Sequence, residues 1–361
     1  MSAIWIAART FVRCWMVCMT LFQFAPSHAQ YTPQQAVFTA QNFVFHDGTT
    51  LPQVNLAYTT LGDPRNPAVL VLHGTNGSGT ALLTPDFGGQ IFGPGQALDA
   101  SKYFIVLPDA LGAGRSSKPS DGLAAGFPQY NYQDMVRGYH VLMNQGLKIS
   151  HVRAVLGYSM GGMHTWLLGT MYPDFADILI PMAAMPIAMS GRNWMTRRLM
   201  IDAIRNDPDY QGGFYTRQPK SAHIASVVYS ISTNGGANGL QSKAPTRELA
   251  DRWLDQAMKA PFTTDANDLV YVFNASRDYD PEPDLHRIKA TVLMINSGDD
   301  ERNPPELEQT RRVLPRIPNL TLHLIAGSEQ TLGHGTAGQA RWWAEQARAV
   351  LQNAPVLTPQ R

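Results

Sequence analysis

Cysteine is nearly missing from the 361 residues: the chain has two, Cys14 and Cys18, both near its start. If the first 29 residues are removed, as expected below, no disulfide, thiol nucleophile or cysteine-ligated metal is available. An excess of one charge is missing too, with 29 Lys and Arg against 28 Asp and Glu. Without Arg9 and Arg13 the formal balance falls from +1 to −1. Such neutrality leaves no footprint for nucleic acid or an acidic membrane surface. His46, His140, His151, His223, His286 and His323 show no metal-site spacing, and neither a metal nor another cofactor is expected. There is no internal repeat, and no low-complexity tract beyond Asn234 to Gly239.

Long apolar runs are also scarce. The run Cys14 to Ala25 is too short for a comfortable transmembrane span. It follows Arg9 and Arg13 and precedes Ser27-His28-Ala29, where small residues stand at the positions a signal peptidase reads. Residues 1–29 therefore read as a secretory signal, and the mature protein as periplasmic or secreted without stable membrane association. The alternative is an uncleaved N-terminal anchor.

The whole chain has 44% hydrophobic and 16% charged residues, ordinary for a globular protein with a sizeable core. Phe43 to Phe45 and Val54 to Thr60 flank His46-Asp47-Gly48-Thr49 and read as an antiparallel hairpin. Ala68 to Leu72 is continuously apolar, as a strand covered on both faces should be, and empties into His73-Gly74-Thr75-Asn76-Gly77. A strand over Tyr103 to Leu107, a helix over about Tyr132 to Gln145 and a strand from Val152 follow. From 186 to 283 the alternation breaks into helical pieces, Trp194 to Asn206 and Thr246 to Met258, with polar connections including Asn234 to Gly239. This stretch reads as a helical cap inserted between two parts of one α/β core, 30–185 and 284–361. Strands Thr291 to Asn296 and Leu320 to Ile325 then alternate with helices near Pro305 to Val313 and Ala337 to Leu351.

The stretch Val152 to Met163 organises the rest. A buried strand runs into Gly157-Tyr158-Ser159-Met160-Gly161, the pattern of a nucleophile elbow, whose glycines let strand and helix approach closely. Ser159 would stand at the tip of the turn. In this fold the order is serine, acid, histidine, with the last two on loops after late strands. Both loops are present, as Ser297-Gly298-Asp299-Asp300-Glu301-Arg302-Asn303-Pro304 and as Gly333-His334-Gly335. A serine hydroxyl needs a base to take its proton, and an imidazole suits that task. His334 is the expected base. The acid is Asp300, four residues before Pro304, with Asp299 as the adjacent alternative. The oxyanion would be met by the backbone N–H groups of Met160 and Thr75. His73 is expected to shape the Thr75 loop, and His164 to pack on the elbow helix.

These residues carry a resemblance to the homoserine O-acetyltransferase-like branch of the α/β-hydrolases. It extends through Gly93 to Asp99, Asp109 to Ser116, Asp134 to Arg137, Gly157 to Met163, Tyr172 to Asp174, Asp207 to Asp209 with Gly212-Gly213, and the Asp300 and His334 loops. The resemblance implies an α/β-hydrolase fold with a mostly parallel sheet, a Ser159-His334-Asp300 triad, and a helical cap over the pocket. It also has departures. Tyr158 replaces a glycine of the family elbow, and His73-Gly74-Thr75-Asn76-Gly77 differs from the family's first oxyanion loop. An arginine that would hold an amino-acid carboxylate aligns with Ile201, leaving Arg197 and Arg198 as substitutes or surface charges.

An exported enzyme would not meet acetyl-CoA, whereas water is always present to resolve an acyl-enzyme. The expectation is therefore a serine hydrolase acting on a small-molecule acyl substrate, an ester or related compound. O-acyl transfer is the alternative, and a non-catalytic binding protein on the same scaffold is a third reading. Trp194, Tyr215, Tyr229, Phe273 and Tyr279 are read as pocket lining or as packing, and a homodimer built on the cap stays open.

Overall fold

The computed structural model describes residues 32–233 and 235–357; the expected signal sequence, 1–29, lies outside them. Eight strands form one sheet: β1 (Gln34–Val44), β2 (Thr50–Leu61), β3 (Ala68–Leu72), β4 (Phe104–Pro108), β5 (Val152–Tyr158), β6 (Ala176–Met182), β7 (Thr291–Ser297) and β8 (Leu320–Ile325). Their spatial order is β1-β2-β4-β3-β5-β6-β7-β8. The β1–β2 and β2–β4 pairs are antiparallel and every later pair is parallel.

Burial explains this arrangement. Every residue of β3, β4 and β6 is buried, which requires cover on both faces. Successive side chains point to opposite faces, so Leu70 and Leu72 join a core with Met135, Trp166 and Leu168, while Val69 and Val71 join another with Ile91, Ile105 and Trp343. The helices are α1 (Gly88–Ile91), α2 (Tyr132–Val141), α3 (Met160–Met171), α4 (Gly191–Arg205), α5 (Lys220–Thr233), α6 (Gly236–Lys243), α7 (Arg247–Lys259), α8 (Ala266–Asn274), α9 (Glu308–Val313) and α10 (Ala344–Asn353). Between β6 and β7 the chain runs through α4 to α8. None of the described helices is long and apolar enough to cross a membrane.

Several elements differ from expectation; β1, for one, begins at Gln34 rather than near Phe43, and α2 ends at Val141 rather than near Gln145. Strand β6 is absent from the sequence reading because Asp177 and Pro181 interrupt its apolar run. In the fold, Asp177 is bound by His151 and Arg153 at 2.8 and 3.0 Å, which accounts for the buried charge. The Asn234 to Gly239 connection is only partly a loop, because α6 begins at Gly236. Positive φ at Gly235 (96°) and Gly236 (61°) swings the chain into that helix. The last helix starts at Ala344 rather than Ala337, after short 3₁₀ turns at Gly333–Gly338 and Ala340–Trp342. There the Ala340 N–H donates to Asp86 O (2.8 Å) and the Trp343 indole to Ala337 O (2.9 Å), which diverts the chain from α-helical bonding.

Candidate active site

Strand β5 passes directly into α3 through Ser159, whose φ of +55° and ψ of −113° place a non-glycine residue in a strained conformation. Close packing imposes that turn. A Cβ on Gly157 would stand 2.0 Å from Gly161 O, and one on Gly161 would stand 2.3 Å from Leu72 O. The turn is pinned by Ser159 N–H donating to Met182 O (2.9 Å) and Met163 N–H donating to Ser159 O (3.0 Å).

The residues expected to converge do so. His334 Nε2 lies 2.8 Å from Ser159 Oγ, and His334 Nδ1 lies 3.1 and 3.0 Å from the two Asp300 carboxylate oxygens. Ser159 is 4% exposed and His334 and Asp300 are each 2% exposed, so water scarcely competes with these bonds. Burial pushes the His334 pKa down, outweighing the upward pull of Asp300, and favours the neutral imidazole. Burial pushes the Asp300 carboxyl up, yet the imidazole and the N–H donors of Arg302 and Asn303 outweigh it and hold its pKa below the usual value. A neutral ring beside a carboxylate has its proton on Nδ1, leaving Nε2 free to accept from the serine hydroxyl.

The run Asp299-Asp300-Glu301 divides its work. Of these three carboxylates, only Asp300 bonds to the His334 ring. Asp299 is hydrogen-bonded to Ser297 Oγ and accepts from Thr331 Oγ1 (2.7 Å) and Gly333 N–H (3.2 Å), which folds the histidine loop onto the acid loop. Glu301 accepts the His334 backbone N–H at 3.0 Å. Asn303 donates to Asp300 Oδ2 (3.2 Å) and to Ala183 O (2.9 Å), tying the acid to the end of β6. Tyr158, the departure at the elbow, donates to His334 O at 3.3 Å and lays its ring 5.6 Å from the imidazole centre. Sequence reasoning missed the roles of Glu301, Asn303 and Tyr158. Their only signal was position, next to residues already singled out.

Met160 opens α3, where backbone N–H groups lack intrahelical acceptors. The loop bearing Thr75 comes alongside, since a Cβ on Gly74 would lie 3.5 Å from Ser159 Cβ. His73 shapes that loop as expected: its Nε2 accepts the Ala110 N–H (3.0 Å), so Nδ1 carries the proton and donates to Gly74 O (2.7 Å). Gly77 N–H donates to the same carbonyl at 3.1 Å.

Arg197 and Arg198 separate clearly. Arg198 is exposed and pairs with Asp202, whereas Arg197 is fully buried. Its guanidinium donates to Asn193 Oδ1 (3.1 Å), Ser276 Oγ (3.3 Å), Tyr132 OH (3.4 Å) and Thr75 Oγ1 (3.5 Å), and lies 5.3 Å from the Phe273 ring centre. Among the described residues no carboxylate lies within 4.0 Å of it. Ile201, one turn later, is buried and apolar. His164 packs between Tyr132 and Tyr139 on the elbow helix. Tyr229, Phe273 and Tyr279 are buried, and Tyr215 donates to Asp265 at 2.6 Å. A surface cleft of about 730 Å³ beside Leu61, Leu83 and Phe92 includes none of these residues. The described residues contain no group of three or more His, Cys, Asp or Glu placed to hold a metal.

The chain is similar to known proteins. A family described as alpha/beta hydrolase fold matches residues 67–329. A homoserine O-acetyltransferase from Thermobifida fusca is 32% identical over 312 residues, covering 75% of this chain and 81% of the relative. Among solved structures, an acetylester hydrolase from Corynebacterium glutamicum superposes with a TM-score of 0.74 at 20% identity, over 89% of this chain and 96% of its own. A homoserine O-acetyltransferase from Bacillus anthracis gives 0.73 at 20% identity, over 91% and 98%.

Proposed function

The chain belongs to the α/β-hydrolase fold family, in its homoserine O-acetyltransferase-like branch, and from that premise we propose an exported serine hydrolase that cleaves a small ester or related acyl compound. The observation that carries this reading is the Ser159 Oγ to His334 Nε2 contact of 2.8 Å, backed by Asp300. Ser159 Oγ attacks the acyl carbon while its proton passes to His334 Nε2. The tetrahedral oxyanion forms beneath the Met160 and Thr75 amides, where one donor is worth about 3 to 4 kcal/mol of transition-state stabilisation. His334 then returns the proton to the leaving alcohol, and the acyl-enzyme remains. Water, losing a proton to the same nitrogen, completes hydrolysis.

Transfer of the acyl group to an alcohol is the second reading, and one observation favours it. Buried Arg197, held by neutral partners beside the Thr75 loop, offers a positive charge to a carboxylate on an acceptor or acyl group. Export argues the other way, since acetyl-CoA is a cytoplasmic donor. The test is a set of esters of graded acyl length with the mature protein, followed by partition of a labelled acyl group between water and added homoserine. Release to water supports hydrolysis. Strong preference for homoserine overturns it.

A further inference from the structure

The loop after β7 and the first turn of α6 meet at one side chain. Glu301 Oε2 accepts the backbone N–H of His334 at 3.0 Å, and Glu301 Oε1 accepts the N–H of Gly236 at 3.3 Å. Glycines on both sides permit the approach. A Cβ on Gly333 would stand 2.2 Å from Glu301 Oε2 and 2.7 Å from Gly236 N, and one on Gly236 would stand 3.2 Å from Gly333 N. Both glycines adopt positive φ, 54° and 61°. The N-terminal N–H groups of a helix lack intrahelical acceptors and favour a negative charge, so a carboxylate suits the start of α6.

We propose that Glu301 is a positioning residue that makes the placement of His334 depend on the seating of cap helix α6. This inference rests on the triad reading above. With Ser159 and His334 almost wholly buried, an ester reaches the serine only if covering structure shifts. When α6 lifts, Glu301 loses the Gly236 donor and the histidine loop loses its tie to the cap. When α6 reseats, the carboxylate again holds the His334 backbone in register with Asp300 and Ser159. Closing over a substrate and completing the triad are then one event.

The charged and titratable groups around the ring are Asp300, Glu301 and Arg302 on the acid loop, with Asp299 bonded at Gly333. Tyr158 approaches from the elbow, and Tyr229 of α5 lies under Arg302. Glu301 favours the protonated imidazole and Arg302 opposes it. Removing the Glu301 charge therefore lowers the His334 pKa and moves the acid limb of kcat/KM to lower pH.

Three variants in the full mature chain separate positioning from mere folding, read by kcat, KM, pH profile and the rate of Ser159 labelling by a fluorophosphonate. Glu301→Ala is expected to lower kcat about tenfold, with KM for a short ester changed less than about threefold, and to shift the acid limb downward. Glu301→Gln keeps an acceptor but no charge, so it should show the same limb shift with a smaller loss of kcat. Glu301→Asp keeps the charge but is too short to span both donors, so it should lose kcat while the limb stays near wild type. Wild-type kcat and limb in all three, or lowered thermal stability alone, would overturn the proposal. A wild-type protein that the fluorophosphonate does not label would instead overturn the triad reading itself.

Discussion

At the elbow, Ser159 is held by backbone sterics: two glycines with no room for a methyl group, a strained φ, and one backbone hydrogen bond each to β6 and α3. At the opposite wall, His334 is held by side chains. Asp300 takes its ring, Glu301 its N–H and Tyr158 its carbonyl, and Asp299 anchors the residue before it. The serine is thus placed by what is absent from its neighbours, and the histidine by what its neighbours offer. The first arrangement is built from backbone, with Leu72 and Met182 as its distant partners. The second spans residues more than thirty apart on the acid side and 176 apart on the elbow side, and loses its members one at a time.

That contrast predicts different responses to substitution. Ser159→Ala should abolish turnover, by on the order of 10⁵-fold or more, while leaving thermal unfolding close to wild type. Asp300→Asn should follow at about 10⁴-fold, because an amide no longer enforces the Nδ1–H tautomer. Steady-state rates on one ester check both. On the elbow side, Gly161→Ala should cost about 3 kcal/mol of stability, since its methyl meets the Leu72 carbonyl rather than a movable side chain. Denaturant melts measure this, and a Gly161→Ala protein as stable as wild type would break the comparison. On the histidine side, Tyr158→Phe removes one long hydrogen bond and keeps the ring, so about 1 kcal/mol of stability and a few-fold in kcat are at stake. The pH profile sharpens the same contrast. Because burial lowers the His334 pKa below 6.5, kcat/KM should stay on its plateau down to a more acidic pH than free imidazole allows, then fall as the ring protonates.

The same contrast explains how much was legible beforehand. Gly157, Ser159 and Gly161 stand within five residues, so the elbow could be read directly. Strands β3 and β7 were legible from their apolar runs, Ala68 to Leu72 and Val292 to Ile295, and β8 from the alternation of Leu320, Leu322 and Leu324 with polar residues. Asp300 was chosen over Asp299 on spacing to Pro304, and the hydrogen bonds agree with that choice. The division of labour in Asp299-Asp300-Glu301 was hidden, because three adjacent carboxylates look alike until the His334 loop is folded against them. Strand β6 escaped because the partners that stabilise Asp177 lie more than twenty residues away. Helix α6 escaped because glycine reads as loop. Its first N–H donates to Glu301, 65 residues on.

The central claim is that His334 activates Ser159 for attack on an acyl carbon. Its most direct measurement is the second-order rate of fluorophosphonate labelling, with the modified residue located by peptide mass spectrometry, in wild type, Ser159→Ala and His334→Ala. One adduct per chain on Ser159, absent in Ser159→Ala and slowed by about 10³-fold or more in His334→Ala, is the predicted result. Labelling at another residue, or an unchanged rate without the imidazole, would contradict it.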